Sequence, residues 1–421
     1  MKNNTRFGLN KDCFLVRGAK RGAIYRLSTG DVYSIDEDSA DLIENCEVGM
    51  PAEKILIGKS DSFQIEASSY LDNLTKEGIG RFLGEGDRIE KIKISEPPIL
   101  EFIWLEITGR CNQRCVHCYL GNNPIFFEET RMKQVDWIRV MTQAHKMGCR
   151  KLQFIGGEPF IDYENLFNLI LESRDIGYEF VEVYTNATLL DDDKINFLAS
   201  QGVNVAVSVY GMNSNIHDQV TRTSDSFSKT VSNLKKMVAK GIQIRIGVIG
   251  MSINEEYINE TVSFLRNDIG VRNIKVDLVR PIGCGCSKGL APIKLLEKQK
   301  RFKPDFSKCL LGKFQRAFYG HNCFSKNLCI IGSGKAIPCI MERDILLGDV
   351  FDSSLEKILL DESTKKIRNL SKDFIEVCKD CEYRYCCFDC RPKAKQESGG
   401  NLFAKPSNCF YDPYLGLWKN L

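Results

Sequence analysis

Cys111, Cys115 and Cys118, at the spacing C-x3-C-x2-C, can present three thiolates to one metal centre from a single short loop. Three thiolates can ligate three irons of a [4Fe–4S] cluster and leave the fourth iron open. A structural zinc ion would instead need a closed shell of four ligands, which His117 could complete. Spacing alone leaves both readings standing. A second, denser group comprises Cys323, Cys329, Cys339, Cys378, Cys381, Cys386, Cys387, Cys390 and Cys409. Its paired C-x2-C motifs suit a zinc ribbon or an iron–sulfur site. Between the two groups lie a Gly156-Gly157-Glu158-Pro159 turn and the thiol pair Cys284-Gly285-Cys286.

Composition narrows what these thiols can serve. The chain has 421 residues, 58 Lys and Arg against 55 Asp and Glu, and a formal charge of +3. No sequence-wide basic field is present, so nucleic acid is not an expected partner. The longest apolar runs, 99–107 and 242–251, are strand-sized, far short of the roughly 18 residues of a membrane span. The N-terminus lacks the apolar core of a secretory signal, which points to the cytoplasm. In a reducing cytosol, eighteen clustered cysteines are metal ligands or catalytic thiols rather than disulfides.

The elements that must position them fall into four parts. Residues 1–95 read as three short strands (13–17, 23–27, 31–35), then helical patterns at 36–46, after Pro51, and over 64–78. Ile65, Tyr70, Leu71 and Leu74 make the apolar stripe of the last of these. Three strands then three helices suggest a winged-helix-like module, followed by a charged linker over 85–94. Residues 96–283 alternate strands and helices six times, predicting an α/β fold with a parallel sheet curled toward a partial (β/α)6 barrel. The first cysteine group follows the first of these strands, and the GGEP turn follows the second. Chemistry in such folds sits at those C-terminal strand ends. Residues 284–308 read as a bridging segment with little structure, and 309–421 as a cysteine-dense final domain. Cys13, Cys46 and Cys149 read as small buried apolar residues. Cys309 reads as structural or as a neighbour of the final domain's metal sites.

In this order, the C-x3-C-x2-C loop and the GGE turn resemble the radical S-adenosylmethionine (SAM) superfamily, over residues about 100–280. The resemblance implies SAM bound at the open iron of a [4Fe–4S] cluster and cleaved to a 5′-deoxyadenosyl radical. It places His117 near the cluster or adenine. It assigns Gly156, Gly157 and Glu158 to the methionyl amino group, and Asn186, Ser208 and Arg222 to further SAM contacts, with Asp218 the acid that accompanies the arginine. The C-terminal array resembles the SPASM domain, which implies two auxiliary clusters and three [4Fe–4S] clusters in all. By that family's interleaved ligation, Cys323, Cys329, Cys339 and Cys390 hold the nearer cluster. Cys378, Cys381, Cys387 and Cys409 hold the outer one. Cys386 fits an alternative spacing, but Cys387 keeps the family's distance from Cys381. Cys284 stands where relatives carry a basic residue, which suggests a substrate-facing thiol or an alternative cluster ligand; Cys286 shares its turn.

DVYSI followed by a helix, and the closing KEGIG, resemble the recognition element that binds leader peptides of ribosomally made, modified peptides. The expected enzyme is therefore a peptide maturase installing a thioether or carbon–carbon crosslink. Its partners would be a precursor peptide bound at the N-terminal module and a reductant such as flavodoxin or ferredoxin. In this reading the strand 31–35 offers an open edge to the leader. The rivals are a formylglycine-type sulfatase maturase, a small-molecule radical SAM enzyme, and a non-catalytic iron–sulfur sensor that binds DNA.

Overall fold

The structure, a computed structural model, describes residues 5–84, 86–121, 131–300, 303–321 and 323–419. Glu85, where the charged linker was expected to start, lies outside them. β1 (Arg6–Leu9) pairs antiparallel with β5 (Gly80–Leu83), a pairing across some seventy residues that neither short run announces. β2 (Cys13–Arg17), β3 (Gly22–Arg26) and β4 (Asp31–Ile35) form a three-stranded antiparallel sheet in that order. α1 (Glu37–Glu47), α2 (Ala52–Leu56) and α3 (Asp61–Lys76) follow. The Asp36 carboxylate accepts the Ser39 N–H, and the Ser60 hydroxyl accepts that of Phe63, so α1 and α3 each start on a side-chain cap. Of the predicted α3 stripe, Leu71 and Leu74 are buried, but Ile65 is 70% exposed and Ala67 takes the inner position.

The edge of β4 is not open along its length. The Val32 N–H donates to Ser307 O at 2.8 Å, and the Cys309 N–H donates to Gly30 O at 2.6 Å. The chain's own bridging segment therefore runs beside the first half of the strand. The module is also docked rather than tethered. Val16, Tyr25 and Val32 share an apolar cluster with Cys309, Phe314, Tyr385 and Cys386. The Tyr25 hydroxyl donates to Glu382 O at 2.9 Å.

The alternating pattern of the middle region folds as six parallel strands. They are β6 (Phe102–Thr108), β7 (Lys151–Gly156), β8 (Phe180–Thr185), β9 (Asn204–Ser208), β10 (Ile244–Gly250) and β11 (Asn273–Leu278). The helices between them are α4 (Gln134–Lys146), α5 (Tyr163–Ile176), α6 (Asp192–Ser200), α7 (Ser214–Thr221), α8 (Ser226–Ala239) and α9 (Ile258–Asn267). α7 is an addition to the expected set: its eight residues, started by the Asn213 cap, are too few to show helical periodicity. The bridging segment carries a helix as well, α10 (Ile293–Lys300). The principal core lies between the strands and these helices, built on Leu105, Phe154, Val183, Val207 and Trp137. No described helix is long and apolar enough to cross a membrane.

The C-terminal region does not stand apart from this sheet. After α11 (Leu311–Tyr319), β12 (Asn327–Ile331) pairs parallel with β6. β13 (Lys335–Ile337) and β14 (Gly348–Asp349) then extend the sheet antiparallel to nine strands. A buried ion pair locks the joint. Arg343 donates from both terminal nitrogens to Glu106 on β6, and its guanidinium lies 5.2 Å from the centre of the Tyr119 ring. Arg343→Met would leave the Glu106 carboxylate buried without its cation. This should destabilise the protein by about 3–5 kcal/mol, whereas pairing that change with Glu106→Leu should restore much of the loss. Thermal melting of the two variants tests the difference.

Candidate functional site

All six parallel strands end on one side, and the cysteine loop lies there. It follows β6 directly and is held against the end of β7. The Gly157 N–H donates to Thr108 O and the Glu158 N–H to Arg110 O, both at 2.7 Å. The approach is close enough to require glycine: a Cβ on Gly156 would sit 2.1 Å from Thr108 O, and one on Gly157 2.0 Å from Arg110 O. Because the obstructing atoms are backbone, Gly157→Ala should push the cysteine loop outward. It should lower stability by about 1–3 kcal/mol together with iron uptake. Gly312→Ala, with nothing within 4 Å of the added methyl, is the control that should cost neither. Melting and iron analysis read both effects.

The three thiols line one cavity of about 220 Å³ with Gly156, Gly157, Asn186 and Ser208, and with His117 and Tyr210 from the flanks. Burial pushes Cys111 up to about 11 and Cys115 up to about 12, so ionising these thiols requires a cation among them. His117 packs its ring edge-on against Tyr210 at 4.9 Å; burial lowers its pKa to about 4, which keeps it neutral. Its Nδ1 and the Gln113 amide nitrogen are buried polar atoms without a partner among the described residues, and both residues line this cavity. Three convergent thiols, unsatisfied polar atoms and open space fit a thiolate-ligated cluster with a polar cosubstrate beside it. Among the described residues, no three Cys, His, Asp or Glu side chains gather as a single metal ion would need.

Other expected residues take different positions. Glu158 is fully buried and does not line the cavity. Its carboxylate accepts from the Thr185 hydroxyl at 2.6 Å, the Asn186 N–H at 2.7 Å and the Phe160 N–H at 3.1 Å. Burial raises its pKa to about 7 despite these donors. It ties the second strand end to the third rather than facing the open space. Asn186 continues the tie by donating to Asn112 in the cysteine loop at 2.8 Å. Ser208 hydrogen-bonds Tyr184 at 2.9 Å. Asp218 caps the start of α8 through Ser226 and Phe227. Arg222, at φ 51°, borders a second cavity on the other side of the cysteine loop.

The eleven ligand candidates form three groups. In the second group, Cys323 and Cys339 hydrogen-bond to each other, and that bond lowers the Cys339 thiol. Cys390 and Cys329 lie within electrostatic reach of Cys339. In the third, Cys378, Cys381, Cys387 and Cys409 line one cavity with Lys372. Val377 precedes it at φ 65°, a conformation costing a β-branched residue about 1–3 kcal/mol. Cys386 points away from that cavity. Its Sγ is 3.5 Å from the Tyr25 hydroxyl, and its thiol donates to Tyr383 O. Cys13, Cys46 and Cys149 are buried, as is Cys309, which packs beside Cys386.

Sequence reasoning passed over several groups. Buried Asp389 accepts from Lys372 at 2.7 Å and binds His321 at 2.9 Å, and the His321 Nδ1 accepts the Cys323 N–H, so one carboxylate bridges the second and third thiol groups. Asp277 and Arg280, paired at 2.5 Å at the end of β11, line the first cavity. They also line a polar cavity of about 610 Å³ inside the curve of the sheet, where Glu182 pairs with Arg245 at 2.7 Å. A charged pair at the last strand end was the available signal. Met341, which reaches both cavities from the C-terminal region, had none.

Residues 105–265 match the radical SAM superfamily, and residues 323–382 match the iron–sulfur cluster-binding domain SPASM. The antilisterial bacteriocin subtilosin biosynthesis protein AlbA of Bacillus subtilis is 26% identical over 301 residues, 68% of this chain and 66% of AlbA. The chain thus spans just under two thirds of that relative. The AdoMet-dependent heme synthase of Methanosarcina barkeri is 24% identical over 340 residues, 73% of this chain and 95% of that protein. Streptococcus suis SuiB, in its crystal structure bound to the precursor peptide SuiA, superposes with a TM-score of 0.58 at 16% identity. That match covers 96% of this chain and all of SuiB, a likeness of fold. The chain carries a radical SAM domain followed by a SPASM domain.

Proposed function

From these two domains in one chain, we propose a radical SAM enzyme that oxidatively modifies a ribosomally made precursor peptide, installing a thioether or carbon–carbon crosslink. The observation that carries the reading is the continuity of the thiol-lined cavity with the polar space inside the sheet, through Tyr184, Ile249, Asp277, Arg280, Ile340 and Met341. That space is large enough for several side chains of an extended segment. AlbA, named for a bacteriocin's biosynthesis, and SuiB, crystallised with its precursor peptide, support a peptide substrate.

In this reading Cys111, Cys115 and Cys118 hold the first [4Fe–4S] cluster. Cys323, Cys329, Cys339 and Cys390 hold a second, and Cys378, Cys381, Cys387 and Cys409 a third. The first cluster, with SAM bound, supplies a 5′-deoxyadenosyl radical able to take hydrogen from an unactivated carbon. Gly156 and Gly157 let backbone approach the cosubstrate, Ser208 and Asn186 border it, and Arg222 offers its cation from the loop's other side. Arg280 sits within electrostatic reach of Cys323, Cys339 and Cys390, so its charge favours their thiolates. Clusters held at the second and third thiol groups would supply the acceptors for the electron that leaves the substrate. A cytoplasmic one-electron donor such as flavodoxin or ferredoxin completes the system.

The N-terminal module serves as the leader-binding element, with a narrower landing strip than an open strand. Ser34 faces the same way as Val32, two residues on, beyond the reach of the 307–309 segment. Ser34→Pro should remove an outward donor and weaken peptide modification several-fold while leaving uncoupled SAM cleavage intact. Removing residues 1–95 should do the same, once iron content shows that uncovering Phe314 and Tyr385 has not unfolded the C-terminal region. The direct test of function is anaerobic reconstitution with SAM, reductant and the short peptides encoded beside this chain's gene. Loss of two hydrogen atoms per crosslink, read by mass spectrometry, is the expected result. Turnover of a small molecule with every such peptide untouched would favour the reading suggested by the heme synthase.

A further inference from the structure

The turn after β11 is pressed against the cysteine loop. The Cys284 N–H donates to Cys118 O at 2.9 Å. Gly283, at φ 59°, admits the contact: a Cβ there would stand 2.5 Å from the carbonyl oxygens of both Cys118 and Tyr119. As a result Cys284 lines, with Cys111, Cys115 and Cys118, the cavity of about 650 Å³ on the outer side of the loop. Gln113 lines the same cavity and is only 7% exposed. It accepts from the Cys115 thiol through Oε1, and its amide nitrogen is unsatisfied among the described residues. Gln113, Cys111, Cys115 and Cys118 form the partition between this cavity and the thiol-lined cavity described above, so one sulfur-rich acceptor at the partition would satisfy the buried donor and lie within reach of both sides.

We infer that Cys284 is an exchangeable fourth thiolate of the first cluster, ligating the iron left open by the other three until SAM displaces it. This rests on the radical SAM reading. The exchange involves no electron transfer: the Cys284 thiol gives its proton to solvent as the iron–sulfur bond forms. When the amino and carboxylate groups of SAM take the position, that bond breaks and the thiolate recovers a proton. The turn suits such movement, since Gly283–Cys286 is a single tight turn with Cys284 half-buried and Cys286 exposed.

The test uses the full-length, cluster-loaded enzyme under anaerobic conditions, alkylated with iodoacetamide and read residue by residue by mass spectrometry. Cys284 should label slowly without SAM and several-fold faster with it, while Cys286 labels freely in both states. Equal labelling of Cys284 in the two states, or slower labelling with SAM, overturns the inference. In Cys284→Ala, the electron paramagnetic resonance spectrum of the reduced first cluster should change without SAM and match wild type with it. Identical SAM-free spectra would likewise sink it. Failure of the radical SAM reading itself looks different: no SAM-responsive cluster signal appears in either protein, and both ideas fall together.

Discussion

Replacing Cys111, Cys115 and Cys118 together by Ala is expected to abolish 5′-deoxyadenosine formation under dithionite, while iron falls only from about twelve to about eight atoms per chain, at four irons per cluster. The separation follows from where the thiols are anchored. The three lie on one loop between β6 and β7, whereas the other eight are held by the turn before β12, β12 itself, the turn after β13 and the C-terminal turns. Among the described residues, no backbone hydrogen bond joins the second or third group to the first loop. Product nucleoside from the triple variant would overturn the assignment of the first group. A stoichiometric zinc content with about four irons in the wild-type protein would leave only that group standing.

Cys387→Ala should cost about four irons and most peptide modification, whereas Cys386→Ala should cost neither. Cys386 is buried and Cys387 half-buried, but direction is what separates their roles. Cys387 faces the cavity shared with Cys378, Cys381 and Cys409, with Lys372 on its wall. Cys386 faces the N-terminal module, against Tyr25 and Cys309. Deleting its sulfur removes a few van der Waals contacts, about 1 kcal/mol of packing, which melting would register without loss of iron. The opposite pattern of iron loss would exchange the two assignments.

Much of the site was legible because its signals are local. A three-thiol loop directly after a strand, a double glycine after the next strand and paired C-x2-C motifs carry their geometry in short spacings. The strand–helix alternation of residues 100–280 was equally plain, since each period is complete within about thirty residues. What escaped were features made by residues far apart. RFGL and GRFL are too short to announce themselves and become β1 and β5 only by meeting. Cys329 could be counted in a spacing, but its strand's place beside β6 could not. The Glu106–Arg343 pair spans 237 residues.

Chain order alone thus determined which chemistry the thiols can do and which strand ends carry the first group, because a ligand loop needs only its own spacing and a strand before it. Tertiary structure decided how each side chain is used, because use depends on what packs against it from elsewhere. It turned Glu158 inward to bind Thr185 and Asn186. It set the neighbours Cys386 and Cys387 on opposite sides of one backbone, a choice no spacing rule can make. It laid residues 307–309 along half of β4 and brought Cys284 to the wall that Cys111, Cys115 and Cys118 share. Each of these outcomes follows from burial and close backbone approach between segments distant in sequence, and those forces act only once the chain has folded.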